Sequence, residues 1–193
     1  MTFYKPEKLP KLMVAPNGAR PTKKDHPAVP VTISETVNTA KACYRAGAEG
    51  IHFHMRDEEG QHILDSELCK KALNELQKEV PKMHLQVTTE AVGKYLPEAM
   101  RKLAYEVVPP GISIGVREMI PSRDPTSEDV KLYKSLTDAG TKIQHICYGP
   151  EDIDLLSNLL SLSKISKNGT WCMFVIGHYS GEVSNPEKIS VFL

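Results

Sequence analysis

His52 and His54 are the residues whose type and spacing most clearly permit chemistry. They lie in the segment Ile51–Asp57 (IHFHMRD), where a short apolar run has the length of a β-strand. Side chains at positions i and i+2 of a strand point to the same face, so the two imidazoles share one face. A catalytic zinc ion has three protein ligands, often histidine, and one open position. We therefore predict a zinc site at these histidines, with a packed or hydrogen-bonded histidine pair as the alternative.

Two residues are candidates for a third zinc ligand. His178 follows the last strand signal of the chain, and Glu90 follows the third. Imidazole nitrogen and carboxylate oxygen both bind zinc. His145 lies in the middle of a strand signal and is predicted to be a buried histidine with a hydrogen bond. Glu118 adjoins Arg117, which favours a surface ion pair for that carboxylate.

Small and polar residues follow several of the predicted strands. Gly18 follows the first strand, within the segment Asn17–Arg20 (NGAR). Glycine permits backbone conformations that present N–H groups to an anion. Thr88 and Thr89 follow the third strand, and Ser113 lies in the fourth. Hydroxyl groups beside a metal can orient a carbonyl or a carboxylate, but threonine also suits a strand on packing grounds alone, so both interpretations stay open.

The elements that position these residues alternate along the chain. Short apolar segments bounded by turn or charged residues predict buried strands at Lys11–Ala15, Gly50–His54, Met83–Val87, Gly111–Val116, Lys142–Tyr148 and Trp171–Gly177. Helical patterns lie between them, with predicted starts at Thr32, Asp65, Thr126 and Pro150, and another helix is predicted over Pro97–Val107. This alternation predicts a parallel sheet covered by helices.

Two architectures fit six strand–helix units: an open doubly wound sheet and a (β/α)8 TIM-type barrel. The sequence contains neither GxGxxG nor GxxxxGK[ST], which disfavours a nucleotide-binding open sheet. A barrel needs eight units. Asn185 and Pro186 are typical of a helix start, and Glu187–Leu193 would form the first two turns of that helix. We expect residues 1–193 to be a single (β/α) barrel domain lacking its last two units.

Composition excludes several classes of function. The chain has 24 Lys+Arg and 24 Asp+Glu, and this zero net charge disfavours a nucleic-acid partner. It contains no apolar run long enough to span a membrane, and its first residues lack the apolar core of a secretory signal. The four cysteines are scattered, which is typical of reduced cytosolic thiols. We therefore expect a cytoplasmic protein with neither a nucleic-acid nor a membrane partner.

A resemblance to a known family rests on a series of motifs in the first half of the chain. These are Val14–Arg20 (VAPNGAR), Pro27–Val31 (PAVPV), Ala46–Ala48 (AGA) and Ile51–Asp57 (IHFHMRD), with Asp65 beyond them. Together they resemble the β-keto acid cleavage enzymes, over essentially the whole chain and most strongly over residues 11–90. The resemblance implies a (β/α)8 zinc barrel, usually oligomeric. It also implies exchange of acyl groups between a β-keto acid and acetyl-CoA, giving acetoacetate and a new acyl-CoA.

The resemblance also implies roles for individual residues. His52 and His54 would be two of the three zinc ligands. Thr88 falls where the family has a substrate-binding serine or threonine, Ala91 where a glycine lines the pocket, and Ser113 where the family has a threonine. In such a site, zinc polarises the keto oxygen and stabilises the enolate formed as the C–C bond is made or broken.

The sequence departs from the family pattern at three places. Arg20 replaces a glutamate that suits a substrate ammonium, and an arginine instead favours a carboxylate, so we expect an acidic or neutral substrate tail such as that of a β-keto dicarboxylate. The family's acidic position on the fifth strand is Gln144 or His145 here. The family's third zinc ligand, its catalytic aspartate and a nearby arginine lie on the last barrel strands, so no catalytic residue is assigned in this chain.

The sequence thus predicts the N-terminal part of a zinc-dependent β-keto acid cleavage enzyme, which we expect to be active only when the rest of the barrel is present. Such an enzyme is a C–C bond-cleaving acyltransferase that acts on a β-keto acid and acetyl-CoA, and we expect a homo-oligomer. One alternative is a zinc-assisted aldolase or hydrolase that uses no CoA and takes its third ligand from His178 or Glu90. Another is an inactive, truncated paralogue.

Overall fold

Six parallel β-strands form one sheet in the computed structural model, which describes residues 3–5, 7–177 and 184–192. The strands are β1 (Met13–Val14), β2 (Gly50–Phe53), β3 (His84–Thr88), β4 (Gly111–Gly115), β5 (Lys142–Cys147) and β6 (Trp171–Phe174). Each strand pairs in parallel with the next one along the chain, so the order in space is the order in sequence. A doubly wound sheet would reverse that order at a switch point. The fold is therefore a partial (β/α) barrel, and the predicted fold class is confirmed.

Helices connect the strands and cover one face of the sheet. They are α1 (Ile33–Arg45), α2 (Ser66–Glu79), α3 (Pro97–Val107), α4 (Val116–Met119), α5 (Ser127–Asp138) and α6 (Pro150–Leu162), followed by a 3-10 helix at Pro186–Phe192. No helix in the described part of the chain is long and apolar enough to cross a membrane.

The helix starts follow the capping residues that the sequence indicates. Thr32 and Glu35 form a reciprocal capping box at the start of α1, and Thr126 and Asp129 form another at α5. The side chain of Asp65 accepts a hydrogen bond from the backbone N–H of Leu68 at 2.7 Å. These bonds satisfy backbone donors that have no partner within the helix, which fixes where each helix begins.

Alternation along the strands separates an apolar face from a polar one. Ile51, Phe53, Leu85, Val87 and Ile112 belong to the apolar core that the helices cover. The opposite, concave face carries polar side chains in neighbouring positions. Thr88 pairs with Ser113, Ser113 with Gln144, and Gln144 with Trp171. Gln86, two residues before Thr88 on β3, pairs with His52 of β2.

Several predicted boundaries differ from the structure. β1 and β6 are shorter than expected, because β1 has a neighbour on one side only and its ladder ends at Val14. The short helix α4 was not predicted, since its four residues are too few to show a helical period. The last helix is a 3-10 helix, and Asn185 accepts a hydrogen bond from the N–H of Glu187 at 2.9 Å. Leu193, the end of the predicted helix, lies outside the described residues.

His145 faces the helix-covered side of the sheet. Only 5% of its surface is exposed, its ring stacks on Tyr133, and its Nδ1 lies 3.0 Å from the carbonyl oxygen of Trp171. The structure therefore agrees with the prediction of a buried histidine with a hydrogen bond. Gln144, rather than His145, is the residue of this strand that faces the concave side beside Ser113.

Candidate active site

The two histidines of the HxH segment meet at the end of β2. The Nε2 atoms of His52 and His54 are 3.0 Å apart, and the two ring centroids are 5.0 Å apart. Phe53, between them, is buried in the core on the opposite face. The period-2 geometry of a strand thus brings both imidazoles together, as the sequence predicts.

A hydrogen bond from the neighbouring strand fixes the tautomer of His52. Its Nδ1 lies 2.7 Å from the amide oxygen Oε1 of Gln86. An amide oxygen can only accept, so Nδ1 carries the proton and Nε2 presents a lone pair to the site. A histidine that binds a metal through one nitrogen usually donates from the other to an oxygen in this way.

Burial keeps the site histidines neutral. The pKa of His54 is lowered to about 2, first by burial and then by the neighbouring His52 and His62. Burial also lowers the pKa of His52 and of His62 below the ordinary value of 6.5. A neutral imidazole can bind a metal ion without first losing a proton.

His62 is a site residue that the sequence analysis missed. It pairs with Arg56 through an isolated antiparallel bridge, because the turn Asp57–Gly60 folds the chain back beside the end of β2. Its ring centroid is 5.0 Å from that of His54, and its Nε2 donates to the carbonyl oxygen of Glu90 at 3.0 Å. The signal for this placement is the Asp-x-x-Gly turn, which sends the following residues back toward the strand end.

Glu90 lies between Arg20 and the histidine pair. Its Oε1 is 3.2 Å from Nη1 of Arg20, and its Oε2 is 3.8 Å from Nε2 of His54. Both predicted residues are therefore at the site. Half of the Arg20 side chain is exposed, so it borders the solvent side, whereas the Glu90 side chain is 13% exposed.

The predicted hydroxyl residues form a linked pair on β3 and β4. Ser113 donates to Oγ1 of Thr88 at 3.3 Å, and the same Oγ1 accepts the N–H of Glu90 at 2.9 Å. Ala91 follows on this loop, where its N–H points to Oε2 of Glu118 at 3.5 Å. The structure thus brings the four predicted substrate-binding positions to one end of the sheet, and their roles stay predictions.

The predicted surface ion pair between Arg117 and Glu118 is wrong. Arg117 instead donates to Asp152 at 2.9–3.0 Å and to Glu151 at 2.9 Å, at the start of α6. Glu118 turns toward the loop of Ala91, and burial raises the pKa of its carboxyl group. Adjacent residues of a helix point in different directions, which is why sequence adjacency did not make a pair.

The loop after β1 turns carbonyl oxygens toward the guanidinium of Arg56, whereas the sequence predicts N–H groups that face an anion. Gly18 has a positive φ of 63°, and its carbonyl accepts a hydrogen bond from the buried guanidinium of Arg56. Arg56 also donates to the carbonyls of Pro21 at 3.0 Å and Gly60 at 2.9 Å. Arg56 therefore ties this loop to the turn that carries His62.

The donor atoms present fit part of a metal site. The lone pair of His52, the adjacent Nε2 of His54 and the supporting bond from Gln86 are those of two metal-binding histidines. No set of three or more His, Cys, Asp or Glu residues within the described ranges is arranged to hold a metal ion. His178, the other candidate ligand, lies outside those ranges.

A large cavity lies away from these histidines. It has a volume of about 900 Å³ and is lined by α2, the end of α3 and Phe3. Its lining is made largely of lysine, glutamate and amide side chains of exposed helix faces. The concave end of the sheet, rather than this groove, holds the convergent polar groups that chemistry requires.

A model of the β-keto acid cleavage enzyme family matches residues 11–193. The chain belongs to the β-keto acid cleavage enzyme family. The match includes the HxH segment, the Thr88–Glu90 loop and all six strands.

Two characterised relatives are similar to part of the chain. The 3-keto-5-aminohexanoate cleavage enzyme of Fusobacterium nucleatum is 38% identical over 77 residues, which is 39% of this chain and 28% of that protein. The 3-oxoadipate:acetyl-CoA acetyltransferase of Cupriavidus necator is 35% identical over 78 residues, which is 40% of this chain and 28% of that protein. The chain thus matches less than a third of the length of these relatives.

Solved structures of ObcA share the fold. Its apo structure has a TM-score of 0.58 and 14% identity, covering 78% of this chain and 36% of ObcA. Its ternary complex with a C4-CoA adduct and oxalate has a TM-score of 0.59 and 15% identity, covering 81% of this chain and 40% of ObcA. At this identity the likeness concerns the fold alone.

Proposed function

We propose that this chain is part of a zinc-dependent acyltransferase, which cleaves a β-keto acid in a reaction with acetyl-CoA. The acyl group of the β-keto acid passes to the sulfur of CoA, and the released carbon of its CH2–COO⁻ unit bonds to the acetyl carbon. The products are a new acyl-CoA and acetoacetate, so all atoms are conserved. The observation that carries this proposal is the pair of Nε2 atoms 3.0 Å apart at the carboxyl end of β2.

His52 and His54 would hold the metal ion, and Glu90 is the nearest described carboxylate to them. When bound, zinc supplies Lewis-acid stabilisation of the negative charge that develops on a keto or enolate oxygen. Gln86 contributes by fixing His52 in the tautomer whose Nε2 carries no proton, through the 2.7 Å bond to Nδ1. A homo-oligomer is the expected assembly, which light scattering would measure.

The positions of the Thr88 and Ser113 hydroxyls support a role in orienting a substrate. The Thr88 oxygen accepts from both the N–H of Glu90 and the hydroxyl of Ser113. Its own proton is therefore available to a substrate oxygen. The buried amide nitrogen of Gln86 has no hydrogen-bond partner among the described residues and is a second donor on the same face. Such preplaced donors favour oxygen atoms that gain negative charge during the reaction.

Arg20 favours a substrate with an acidic tail. Its guanidinium lies at the rim of the site, half exposed and 3.2 Å from Glu90. A guanidinium binds a carboxylate through two parallel hydrogen bonds and repels an ammonium. One relative is named for 3-oxoadipate, which is a β-keto dicarboxylate. We infer that a β-keto dicarboxylate is a better substrate for this site than an amino-bearing β-keto acid.

The reaction is tested by incubating the purified protein, with all eight strands of its barrel present, with 3-oxoadipate and acetyl-CoA carrying a labelled acetyl group. Mass spectrometry of the products should show label in acetoacetate and a new acyl-CoA, with His52→Ala inactive. The exposed His26→Ala serves as the matched control and should keep full activity. Cleavage that proceeds without CoA would favour an aldolase or hydrolase, and absence of any turnover would favour an inactive paralogue.

Metal content is measured separately by elemental mass spectrometry. We expect about one zinc ion per chain in the protein with its complete barrel and in the His26→Ala variant of it. His52→Ala should lose it, because the site then has a single imidazole. Equal zinc content in His52→Ala and in the unaltered chain would contradict the assignment of the site.

Arg20→Glu tests the substrate class. The substitution should lower kcat/KM for 3-oxoadipate and raise it for an amino-bearing β-keto acid, because the charge at the rim of the site is reversed. Lys24→Glu, an exposed change on the same loop, controls for net charge. Higher turnover of the unaltered chain with the amino-bearing substrate than with the dicarboxylate would refute the inference.

A further inference from the structure

His54 lies beyond the hydrogen-bonded ladders that hold β2. The ladder with β1 consists of the pairs Met13–Gly50 and Val14–Ile51, and the ladder with β3 ends at Phe53 and Val87. The backbone of His54 is therefore not fixed by either neighbouring strand. A site residue placed at such a position needs another support if its side chain is to keep one direction.

The side-chain amide of Asn17 supplies that support. Its Oδ1 accepts the N–H of His54 at 3.1 Å, and its Nδ2 donates to the carbonyl of the same residue at 3.0 Å. Nδ2 also donates to the carbonyl of Pro30 at 3.1 Å. Asn17 is 3% exposed, so these bonds are protected from water. The amide thus pairs with both backbone groups of His54, as a neighbouring strand would.

The imidazole of His54 has no oxygen bonded to its second nitrogen among the described residues, and its other contacts include Nε2 of His52 and the ring of His62. The Nδ1 atom of His54 is buried and, within the described ranges, has no hydrogen-bond partner. His52 differs, because Gln86 holds its Nδ1 at 2.7 Å. The direction of the His54 ring therefore depends on its backbone, on its contact with Nε2 of His52 and on packing. The backbone is fixed where Asn17 binds it.

We propose that Asn17 is a positioning residue for His54. It holds the backbone of His54 so that the Nε2 atoms of the two histidines converge on one point, where a divalent metal ion binds. The inference deepens the proposed function and rests on its metal site. Asn17 does not touch the metal or the substrate in this role.

Two variants at position 17 and one control test the inference. Asn17→Ala removes all three hydrogen bonds. Asn17→Asp keeps an acceptor for the N–H of His54 but turns a carboxylate oxygen toward two carbonyls. Thr141→Val is the matched control, because it removes another buried side-chain bond, 2.8 Å from Thr141 Oγ1 to the carbonyl of Pro109, at the opposite end of the sheet.

Zinc affinity is measured by competition with a chromophoric chelator, and Tm by circular dichroism. We expect both Asn17 variants to bind zinc about 10- to 100-fold more weakly, the usual effect of losing a residue that orients a metal ligand. Both the Asn17 variants and Thr141→Val should lower Tm, but Thr141→Val should leave zinc affinity unchanged. Unchanged affinity in the Asn17 variants, or an equal loss in Thr141→Val, would overturn the inference. If Asn17→Ala does not fold, Asn17→Asp decides.

Histidine ring NMR of the metal-free chain separates this inference from the metal proposal. In Asn17→Ala, the ring resonances of His54 should shift or broaden while those of the remote His145 stay in place. If the unaltered protein with its complete barrel binds no zinc, the metal proposal fails, and the His54 resonances alone test the role of Asn17. Unmoved His54 resonances would then refute it.

Discussion

Acid should destabilise the fold through His145, and His145→Gln should remove that part of the effect. This residue is remote from the site histidines and buried against Tyr133. Burial lowers its pKa to about 4 from the ordinary value of 6.5, although its bond to the Trp171 carbonyl partly opposes the shift. Glutamine is neutral and can donate to the same carbonyl, so it keeps the contact without the titration.

The sign follows from which state binds the proton. Between pH 6.5 and 4, the unfolded chain protonates this histidine and the folded chain does not, so the free energy of unfolding falls as pH falls. At about 1.4 kcal/mol per pH unit, the full effect is about 3 kcal/mol. About 2 kcal/mol of it is lost between pH 7 and pH 5.

Urea denaturation at pH 7, 6 and 5, followed by circular dichroism, measures the effect as a difference in slope. Stability of the unaltered chain should fall by about 2 kcal/mol more from pH 7 to pH 5 than that of His145→Gln. Comparing slopes cancels any constant cost of the substitution and the contributions of other buried histidines. His26→Gln, at an exposed position, should keep the slope of the unaltered chain. Parallel curves for His145→Gln and the unaltered chain would refute the reasoning.

Three further predictions concern the site and the fold. Gln86→Leu removes the oxygen that accepts from Nδ1 of His52, so zinc affinity should fall about 10- to 100-fold. Competition with a chelator measures the affinity, and an unchanged value would count against this role of Gln86. Asp129→Ala removes a helix cap and the 2.7 Å bond from Arg101, so urea unfolding should show a loss of about 3 kcal/mol, well above that of an exposed Asp138→Ala. Gly111→Ala places a Cβ 2.5 Å from Nε2 of His84, so Tm should fall, and an unaltered Tm would show that the ring moves freely.

Local sequence patterns predicted most of the helices and strands. The capping pair of Thr32 and Glu35 and the cap at Asp65 predicted helix starts that the structure confirms. Their information lies within a few residues, because a cap bonds backbone groups two or three positions away. The strand positions were predicted because each apolar run also lies within a few residues. The strand bounds differed most at edges such as β1, which pairs with one neighbour only.

The convergence of His52 and His54 was also encoded locally. Two residues apart on a strand, they share a face whatever the rest of the fold does. Contacts between residues far apart in the chain were harder to predict from the sequence. Glu90 was a candidate ligand from its position at a strand end, but its bond to Arg20 joins residues 70 positions apart and depends on how two loops approach each other.

Asn17, His62 and Glu118 show what only tertiary structure decides. The sequence predicts that the loop of Asn17 presents N–H groups to an anion, whereas in the structure the Asn17 amide bonds to the backbone of His54 beyond the end of β1. His62 reaches the site through a reversed turn, and Glu118 leaves its neighbour Arg117 to face the loop of Ala91. The sequence by itself determined the repeating units and the shared face of the two histidines, because periodicity and capping act over a few residues. The contacts of Asn17, His62 and Glu118 were decided by strand register, loop path and burial, which depend on residues far apart in the chain.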